Sequence, residues 1–311
     1  MTNQRPFRFG VLGSNTQSHE EWITRVRQIE DLGYATLLMG DHIELGVLPA
    51  SVGLMAAAEA TSTLRIGSYV FNNDFRHPIL LAKEVAALDQ LSGGRFDFGL
   101  GAGWMSSEYE QMGIPFEAPG IRVSRFEEGL GIIKKYFTSD CVTFSGKYYT
   151  ISNLKSVTKP LQQPHPPIMV GGAGKRMLSI AGREANIVAL ALTNLPNGGW
   201  NMSEATSAGM QQKLDWVRQA AHNRFDELEL NVLVYVVIVT NERQAEAQRV
   251  ARFFGVSGEE LLEMPFFLIG TVDQICNDLL LRRERYGISY TVVLNEHMQS
   301  FAPIVERLAG R

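Results

Sequence analysis

The sequence of 311 residues has little of what marks secreted, membrane-spanning or nucleic-acid-binding proteins. Its two cysteines, Cys141 and Cys276, lie far apart and near no redox motif, so we expect reduced thiols and a cytoplasmic protein. No apolar run approaches the roughly 20 residues of a membrane span, and the N-terminus enters a strand pattern without a secretory segment. The formal net charge of −4 provides no lysine and arginine excess for binding phosphate backbones. We therefore expect neither a membrane nor a nucleic acid as a partner.

Spacings typical of metal sites, such as HExxH, are also missing, so we expect no metal. Internal repeats and low-complexity tracts are absent as well. What the sequence does contain is 45% hydrophobic and 20% charged residues, the balance of a globular protein with a large core.

Strand-like apolar runs alternate with amphipathic helical stretches along the chain. The eight predicted strands are Phe7–Leu12, Leu37–Met39, Leu64–Phe71, Arg95–Leu100, Ile168–Val170, Ile187–Leu190, Leu230–Val239 and Tyr290–Leu294. The predicted helices are Ser18–Leu32, Pro49–Ala60, Pro78–Leu91, Arg122–Phe137, Lys175–Arg183, Met210–Asn223, Glu242–Phe254 and Val272–Tyr286, with a short one at the end. This alternation fits a doubly wound α/β sheet or a (β/α)8 TIM barrel. Eight units favour the barrel, as a single domain over residues 1–311.

Two segments interrupt this alternation. Residues 142–151 (VTFSGKYYTI) predict a β-hairpin that turns at Ser145–Gly146, outside the main sheet. Residues 193–209 are polar and rich in glycine and asparagine, with Trp200 near their centre. A loop of this length is uncommon in a compact domain and suggests a lid.

Three glycine-rich turns, each directly after an apolar run, are the most informative feature of the chain. They are Gly67–Asn73 (GSYVFNN), Gly99–Trp104 (GLGAGW) and Gly171–Arg176 (GGAGKR). Glycine lets the backbone approach a ligand closely, and the carboxyl ends of barrel strands meet at one face. The pattern predicts one shared site for a phosphorylated cofactor.

The turn Gly171–Arg176 opens a helix and carries two cations. Amide groups at a helix start suit a phosphate, and Lys175 or Arg176 can add charge-assisted hydrogen bonds. The spacing is not that of a Walker A loop. The alternative is a plain tight turn between strand and helix.

The turn Gly99–Trp104 lacks the third glycine of the dinucleotide fingerprint, so it does not favour a Rossmann fold. We interpret it as a strand end where the backbone approaches a ring, with Trp104 as a flat wall. The alternative is a core tryptophan that covers the barrel mouth.

Polar side chains follow two further strands. Asp41 and His42 come directly after Gly40, and His42 could donate or accept a proton near neutral pH while Asp41 fixes its orientation. Asn72 and Asn73 either bind the edge of a heterocycle or only form a turn. His77 opens a helix and is expected to face the same barrel mouth.

At these residues the sequence resembles the bacterial luciferase-like superfamily of (β/α)8 flavoproteins, and more narrowly its members that use the deazaflavin coenzyme F-420. The stretches that carry the resemblance are Phe7–Gly10, Gly40–His42, Tyr69–Pro78, Leu91–Phe96, Gly99–Trp104, Pro164–Pro167 and Gly171–Met177. The resemblance is strong over residues 7–190 and weak over the remainder.

The resemblance implies a tricyclic ring in the barrel mouth, with a non-proline cis peptide at Tyr69–Val70 pressing on it from behind. Asp41 and His42 match the pair that faces the ring and the substrate. The implied cofactor-binding residues are Tyr69, Val70, Asn72, Gly101, Ala102 and Gly103 at the ring and Gly171, Gly172, Ala173, Gly174 and Arg176 at the phosphate. Trp104, His77 and Trp200 are expected to line the substrate pocket.

One departure concerns the substrate. The sugar-phosphate dehydrogenases of this superfamily carry an acid where this chain has Trp104. A tryptophan cannot donate a catalytic proton, so this departure argues against a sugar phosphate and for an apolar substrate.

The resulting hypothesis is a coenzyme F-420-dependent oxidoreductase that transfers a hydride to or from a small organic substrate. The alternative within the superfamily is an FMN-dependent monooxygenase supplied with reduced flavin by a partner reductase. A cofactor-carrying protein without turnover and a phosphate-binding barrel isomerase are two further alternatives. The resemblance also suggests a homodimer formed through the helices Pro49–Ala60 and Pro78–Leu91.

Overall fold

The strands of the protein form a closed parallel barrel with two small sheets beside it. The computed structural model describes residues 5–13, 18–45, 48–195 and 199–311. Its strands are β1 (Arg8–Leu12), β2 (Thr36–Met39), β3 (Arg65–Ser68), β4 (Phe71–Asn72), β5 (Phe96–Gly101), β6 (Cys141–Ser145), β7 (Thr150–Lys155), β8 (Ile168–Gly172), β9 (Ile187–Leu190), β10 (Glu229–Val234), β11 (Val236–Val239), β12 (Phe267–Gly270) and β13 (Ile288–Leu294).

Eight of these strands close on themselves. The order around the barrel is β3-β2-β1-β13-β10-β9-β8-β5, and pairing of β3 with β5 completes the circle. Every pair in this circle is parallel. The predicted (β/α)8 TIM barrel is confirmed, and the doubly wound sheet is excluded because an open sheet would leave two unpaired edges.

Helices surround the barrel and follow the predicted pattern closely. They are α1 (His19–Asp31), α2 (Ala50–Ala60), α3 (Pro78–Leu91), α4 (Ser106–Gln111), α5 (Pro119–Thr138), α6 (Lys175–Glu184), α7 (Ser207–Ala221), α8 (Arg243–Phe254), α9 (Gly258–Glu263), α10 (Val272–Tyr286) and α11 (Met298–Leu308). The sequence reading missed α4 and α9, because six residues are too few to show a helical period.

Two predicted strands were wrong in extent. The run Leu230–Val239 is two strands: β10 lies in the barrel, while β11 pairs with β12 in a separate parallel sheet. The strand β12 was missed because all four of its residues are buried and show no alternation. The run Leu64–Phe71 is interrupted after Ser68 by a cis peptide bond between Tyr69 and Val70, the position that the family resemblance implied.

The two predicted insertions are present, the second with different bounds. β6 and β7 form an antiparallel hairpin outside the barrel, as expected. The expected loop over residues 193–209 is shorter, because Met202–Ala205 forms a 3-10 helix and α7 begins at Ser207 with the Thr206 side chain capping it. Residues 196–198 of this segment lie outside the described part of the chain.

The barrel interior is charged at the amino-terminal ends of the strands and apolar at its centre. At the strand starts, Asp97 accepts hydrogen bonds from Arg8 and Arg65, and Arg8 also donates to Glu229 at 3.1 Å. Above this layer lies a buried cluster formed by Leu38, Met169, Ile187, Ala189, Tyr290 and Val292. This filled interior leaves the carboxyl ends of the strands as the face where a ligand can bind.

Among the described helices, none is both long enough and apolar enough to cross a membrane.

Candidate active site at the barrel mouth

Four of the segments singled out from the sequence follow four consecutive barrel strands. Residues 40–42 follow β2, and residues 69–73 follow β3. Residues 101–104 begin at the last residue of β5, and residues 171–176 begin at the last two residues of β8. These strands are neighbours in the order β2-β3-β5-β8. Because all of them are parallel, the four segments share one arc of the barrel mouth.

His42 is held by a buried carboxylate that the sequence reading did not identify. The His42 Nδ1 atom lies 3.1 Å from Oε2 and 3.2 Å from Oε1 of Glu108. Glu108, on α4, is buried and also accepts the backbone N–H groups of Ile43 at 2.6 Å and Glu44 at 3.2 Å. A carboxylate that accepts from Nδ1–H fixes the tautomer of a neutral imidazole and leaves Nε2 for another partner.

Asp41 does not orient His42, so this part of the sequence interpretation was wrong. Both carboxylate oxygens of Asp41 accept hydrogen bonds from Arg76, at 2.8 and 2.9 Å, and the backbone N–H of Asn72 donates to Oδ2 at 2.9 Å. Adjacent residues in an extended segment direct their side chains to different sides. Asp41 therefore ties the β2 end to the β3 end, while Glu108 contacts the histidine.

Trp104 lies beside His42 at the mouth. The two rings are in edge-to-face contact with centroids 5.6 Å apart. Because Trp104 is 51% exposed, it is not the buried core residue of the alternative interpretation. Its exposed ring can serve as a wall for an apolar ligand.

The asparagines after β3 are engaged with protein groups. Asn72 is buried, and its Oδ1 accepts hydrogen bonds from the hydroxyl of Tyr109 at 3.1 Å and the backbone N–H of Asp74 at 3.0 Å. Asn73 donates through Nδ2 to the hydroxyl of Tyr149 at 3.3 Å. The turn-forming alternative accounts for these contacts.

The glycines of Gly99–Trp104 are required by neighbouring protein atoms. A Cβ on Gly99 would lie 2.0 Å from the Ser68 carbonyl oxygen, and one on Gly101 would lie 2.7 Å from a methyl group of Val70. Gly103 has a φ of +76°, and a Cβ there would lie 1.9 Å from the hydroxyl of Tyr109. The segment is thus closely packed against the β3 end, and Ala102 between these glycines is half-buried.

Tyr69 and Val70 form the inner wall of this arc. The Tyr69 hydroxyl donates to Oδ1 of the buried Asn231 at 2.9 Å, and burial raises the pKa of Tyr69 well above its ordinary value. Val70 lies over the barrel, where a Cβ added to Gly171 would be in ordinary contact with it at 3.7 Å. The Tyr69 hydroxyl is therefore uncharged at physiological pH, and so is the surface that Tyr69 and Val70 form.

The turn from β8 into α6 is the open part of the arc. Gly171, Gly172 and Ala173 are half-buried, whereas Gly174 is exposed, and a Cβ on Gly174 would meet no atom within 4 Å. None of the described side chains caps α6, whose N-cap is Gly174. The amide groups at this helix start fit a phosphate because they carry partial positive charge.

The two cations of this turn, Lys175 and Arg176, are exposed. Arg176 donates to the Gly120 carbonyl oxygen and the Ser124 hydroxyl, both at 3.0 Å, and lies 3.3 Å from a carboxylate oxygen of Glu127. Its guanidinium group is thus shared with α5 rather than directed wholly at the turn. Lys175 is exposed at the first position of α6.

His77 and Trp200 lie apart from the His42 cluster. His77 caps α3 by accepting the Ile79 N–H at 3.2 Å, and its ring contacts Tyr149 beside an open groove of about 450 Å³. Trp200 stacks on Tyr235 with ring centroids 4.1 Å apart and on Phe254 at 5.9 Å. Neither residue contacts His42 or Trp104 in the described contacts, so their placement in the substrate pocket stays a prediction.

Sequence reasoning missed Glu108, Arg76 and Lys213, each for a physical reason. Glu108 lies in a six-residue helix that contains a second glutamate, Glu110, and it carries no pattern that distinguishes it. Lys213 lies in a helix where a lysine is expected to be exposed. Arg76 lies within Tyr69–Pro78, one of the stretches that carry the family resemblance, but the sequence assigned it no role. Among the residues that the structure places, no group of three or more His, Cys, Asp or Glu residues could hold a metal ion.

Comparison with known proteins agrees with this architecture. Residues 5–274 match the family model described as luciferase-like monooxygenase. The FMNH(2)-dependent dimethylsulfone monooxygenase of Pseudomonas putida is 27% identical over 193 residues, 62% of this chain and 49% of that protein. The F-420-dependent glucose-6-phosphate dehydrogenase of Amycolatopsis mediterranei (strain U-32) is 31% identical over 161 residues, 50% of this chain and 48% of that protein. This chain thus aligns with about half the length of these two relatives.

Among solved structures, the coenzyme F-420-dependent tetrahydromethanopterin reductase from Methanopyrus kandleri shares the fold. It superimposes with a TM-score of 0.76 at 19% identity, covering 97% of this chain and 99% of that one. The two sequence relatives use different cofactors by name, so they do not decide between FMN and coenzyme F-420. On the match over residues 5–274, the chain belongs to the luciferase-like monooxygenase family.

Proposed function

We propose that the protein is a coenzyme F-420-dependent oxidoreductase that transfers a hydride to or from a small, apolar organic substrate. The observation that carries the proposal is the contact of His42 with the buried Glu108, beside the exposed ring of Trp104. The proposal is supported by an imidazole, a side chain that can exchange protons near neutral pH, at the mouth of a barrel whose relatives include an F-420-dependent enzyme. The role of each residue below is part of this proposal.

His42 is the proposed proton donor or acceptor. When a carbonyl gains a hydride it also needs a proton, and when an alcohol loses one it must release a proton. With Nδ1 held by Glu108, the Nε2 atom is the nitrogen available to the substrate oxygen. A deazaflavin ring bound at the mouth would supply or accept the hydride itself.

The β8–α6 turn is the proposed phosphate site. Gly171, Gly172, Ala173 and Gly174 present backbone at an uncapped helix start, and the Gly174 side is open. Helix-start amides favour an anion there, and Lys175 is an exposed cation at the first position of α6. The cofactor's ring would then extend along the arc toward Tyr69, Val70 and the segment Gly101–Gly103.

Trp104 and its surroundings favour an apolar substrate. Trp104, Ile43 and Leu45 are large apolar residues that are exposed after the β2 and β5 ends. Exposed apolar side chains grouped at a mouth typically mark a binding surface. The absence of an acid at position 104 removes the second proton donor that a sugar-phosphate dehydrogenase would have there.

An FMN-dependent monooxygenase is the second candidate. It is favoured by one observation: of the two named relatives, the FMNH(2)-dependent enzyme aligns over more of this chain, 62% against 50%. In this case a partner reductase would supply reduced FMN, and the same phosphate turn and apolar mouth would serve.

Titration with both cofactors separates the candidates. Purified protein is titrated with coenzyme F-420 and with FMN, and binding is followed by the change in fluorescence. Preferential F-420 binding together with hydride transfer supports the first candidate, whereas FMN binding with oxygen-dependent product formation supports the second. If His42→Ala keeps cofactor affinity and turnover, His42 is not the proton-exchanging residue, and binding of neither cofactor rejects both candidates.

We also propose a homodimer formed through α2 and α3. Most of their apolar residues face the protein core, but Val52, Leu80 and Leu91 are exposed on these two helices. Light scattering is expected to show a dimer that Leu80→Lys disrupts. Leu281→Lys, at an exposed apolar residue of α10, is the matched control, and a monomeric parent protein would contradict the proposal.

A further inference from the structure

Lys213 is a buried lysine of α7 that joins two separate segments of the barrel mouth. It is 1% exposed. Its Nζ donates to the Ala173 carbonyl oxygen at 2.7 Å and to Glu204 Oε2 at 2.7 Å. Ala173 belongs to the β8–α6 turn, and Glu204 belongs to the 3-10 helix that precedes α7. One ammonium group therefore bridges these two segments.

Glu204 extends the bridge to the segment that leaves β9. Its Oε2 accepts the backbone N–H of Thr193 at 3.1 Å, and its Oε1 accepts from Nδ2 of Asn201 at 3.0 Å. The Asn201 N–H in turn donates to the Thr193 carbonyl oxygen at 2.9 Å. The chain before residue 196 and the chain after residue 198 are both fixed at this one carboxylate.

The contact with Ala173 fixes the direction of a backbone amide at the proposed phosphate site. In a planar trans peptide the C=O and N–H bonds point in opposite directions. Because the Ala173 carbonyl points at Lys213, the N–H of Gly174 points away from Lys213, and Gly174 itself is exposed. Lys213 thus holds this donor outward without lying at the surface itself.

The bridge is maintained because a buried ammonium group needs its partners. Burying a charge is costly unless it is paired and hydrogen-bonded. If the Ala173 carbonyl turned away or Glu204 withdrew, Nζ would lose one of the two acceptors described here. The conformation of the turn and that of the segment around Glu204 therefore depend on each other.

We infer that Lys213 is a positioning residue: it directs the Gly174 N–H toward a bound anion and, through Glu204, couples anion binding at the turn to the order of residues 193–195 and 199–206. The inference rests on the proposed phosphate site. It assigns a role to a residue that does not itself contact the cofactor.

The coupling is tested first without any cofactor, by hydrogen exchange with mass spectrometry. Lys213→Met is expected to speed amide exchange at least tenfold in peptides covering both residues 171–178 and residues 187–206. Arg218→Met, which removes an exposed cation from the same helix, is the matched control and should change neither peptide. If Lys213→Met leaves either peptide at the parent rate, the coupling does not exist.

The positioning role is tested by the contribution of the phosphate to affinity. FMN is compared with riboflavin, and coenzyme F-420 with the deazaflavin nucleoside that lacks the phosphate. For each pair, the ratio of the affinity for the phosphorylated compound to the affinity for its phosphate-free counterpart should fall at least tenfold in Lys213→Met. A merely structural defect would weaken the binding of both compounds equally and leave this ratio unchanged, which would overturn the inference. Glu204→Gln, which keeps the lysine, should give a smaller fall and covers the case that Lys213→Met does not fold.

The two levels of failure are distinguishable. If the parent protein binds none of the four compounds, the proposed function fails, while the exchange experiment still decides the coupling. If the parent binds a phosphorylated cofactor but the ratio is unchanged in Lys213→Met, the proposed function stands and the role of Lys213 is rejected.

Discussion

At the scale of single residues, the arrangement of the mouth depends on which carboxylate contacts which base. Asp41 is adjacent to His42 in the sequence but pairs with Arg76, whereas Glu108, 66 positions away, contacts the histidine. A carboxylate that accepts from Nδ1–H fixes the tautomer of a neutral imidazole. Glu108 is therefore the residue whose removal should change proton exchange without changing cofactor binding.

We expect Glu108→Gln to lower the rate of hydride transfer by roughly 10²-fold, within the range attributed to general acid–base groups. A glutamine amide can accept from Nδ1–H or donate to Nδ1, so it no longer selects the Nδ1–H tautomer, and Nε2 is less often the acceptor nitrogen. Single-turnover kinetics with a titrated cofactor measures the rate. Glu110→Gln, an exposed residue of the same helix, is the control. Equal rates in all three proteins would show that Glu108 has no part in the reaction.

A second residue-scale prediction concerns the packing of Val70. Gly101→Ala places a Cβ 2.7 Å from a Val70 methyl group, whereas Gly171→Ala places one at an ordinary 3.7 Å. Overpacking costs typically about 1–3 kcal/mol, so Gly101→Ala should lower the free energy of unfolding by that amount and Gly171→Ala by much less. Urea unfolding measures both. Adding Val70→Ala should recover part of the loss, and a fully stable Gly101→Ala would refute the packing argument.

At the scale of elements, α6 is one of the described helices that begin without a side-chain cap, together with α2, α4, α5, α8 and α11. Ser18, His77, Thr206 and Thr271 cap α1, α3, α7 and α10 with their side chains. α6 begins at Gly174, whose Cβ direction is open and which none of the described side chains replaces as a cap. The helix start therefore has room for an acceptor supplied by a ligand.

Gly174→Asp should accordingly affect stability and binding in opposite directions. An aspartate at the N-cap accepts an amide hydrogen bond and, relative to alanine there, stabilises a helix by about 0.5–2 kcal/mol. The same carboxylate occupies the proposed phosphate position and repels the anion. We expect Gly174→Asp to be more stable than Gly174→Ala in thermal unfolding but to bind FMN or coenzyme F-420 at least tenfold more weakly. Unchanged binding in Gly174→Asp would remove the phosphate from this turn.

At the scale of the whole molecule, the two ends of the barrel differ in their residues. The amino-terminal end is closed by the ion pairs of Asp97 with Arg8 and Arg65, while the carboxyl-terminal end carries the glycine-rich turns. Burial alone would raise the pKa of Asp97, but the two guanidinium charges overcome it and lower that pKa. For Glu229 burial prevails and raises the pKa.

We expect Asp97→Asn to lower the free energy of unfolding at pH 7 by about 3–5 kcal/mol, the cost of leaving buried charges without their partner. Glu229→Gln should cost much less, because the folded protein already disfavours the Glu229 carboxylate. Urea unfolding of the three proteins provides the values. Losses of equal size would contradict the different roles assigned to the two carboxylates.

The contributions of Asp97 and Glu229 to the free energy of unfolding depend on pH with opposite signs. An acid whose pKa is lowered on folding stabilises the protein above its unfolded pKa, near 3.9 for aspartate, and this contribution disappears as the pH falls through the folded value. The stability difference between the parent protein and Asp97→Asn should therefore be largest near neutral pH and shrink below about pH 4. For Glu229 the sign is reversed, since its raised pKa makes stability fall as the pH rises above 4.5 through the folded value.

The barrel could be read from the sequence because its elements repeat a local pattern. Pro78–Leu91 and Val272–Tyr286 are helices from end to end as predicted, and eight barrel strands occur near the predicted positions. Periodicity of apolar residues is a local property, and closure of the barrel follows once eight parallel units are present. The separate β11–β12 sheet did not follow, because which strand pairs with which is not a local property of either strand.

By itself the sequence determined the alternation of strands and helices and the positions of the glycine-rich strand ends, since both depend on neighbouring residues. Only the tertiary structure decided that Glu108 rather than Asp41 contacts His42, that Val70 and Tyr109 require the glycines of Gly99–Trp104, and that Lys213 lies beneath the β8–α6 turn. The contacts of His42 with Glu108, of Val70 with Gly101 and of Lys213 with Ala173 join residues that are 30 to 70 positions apart in the chain, where spacing carries no record of which side chains meet.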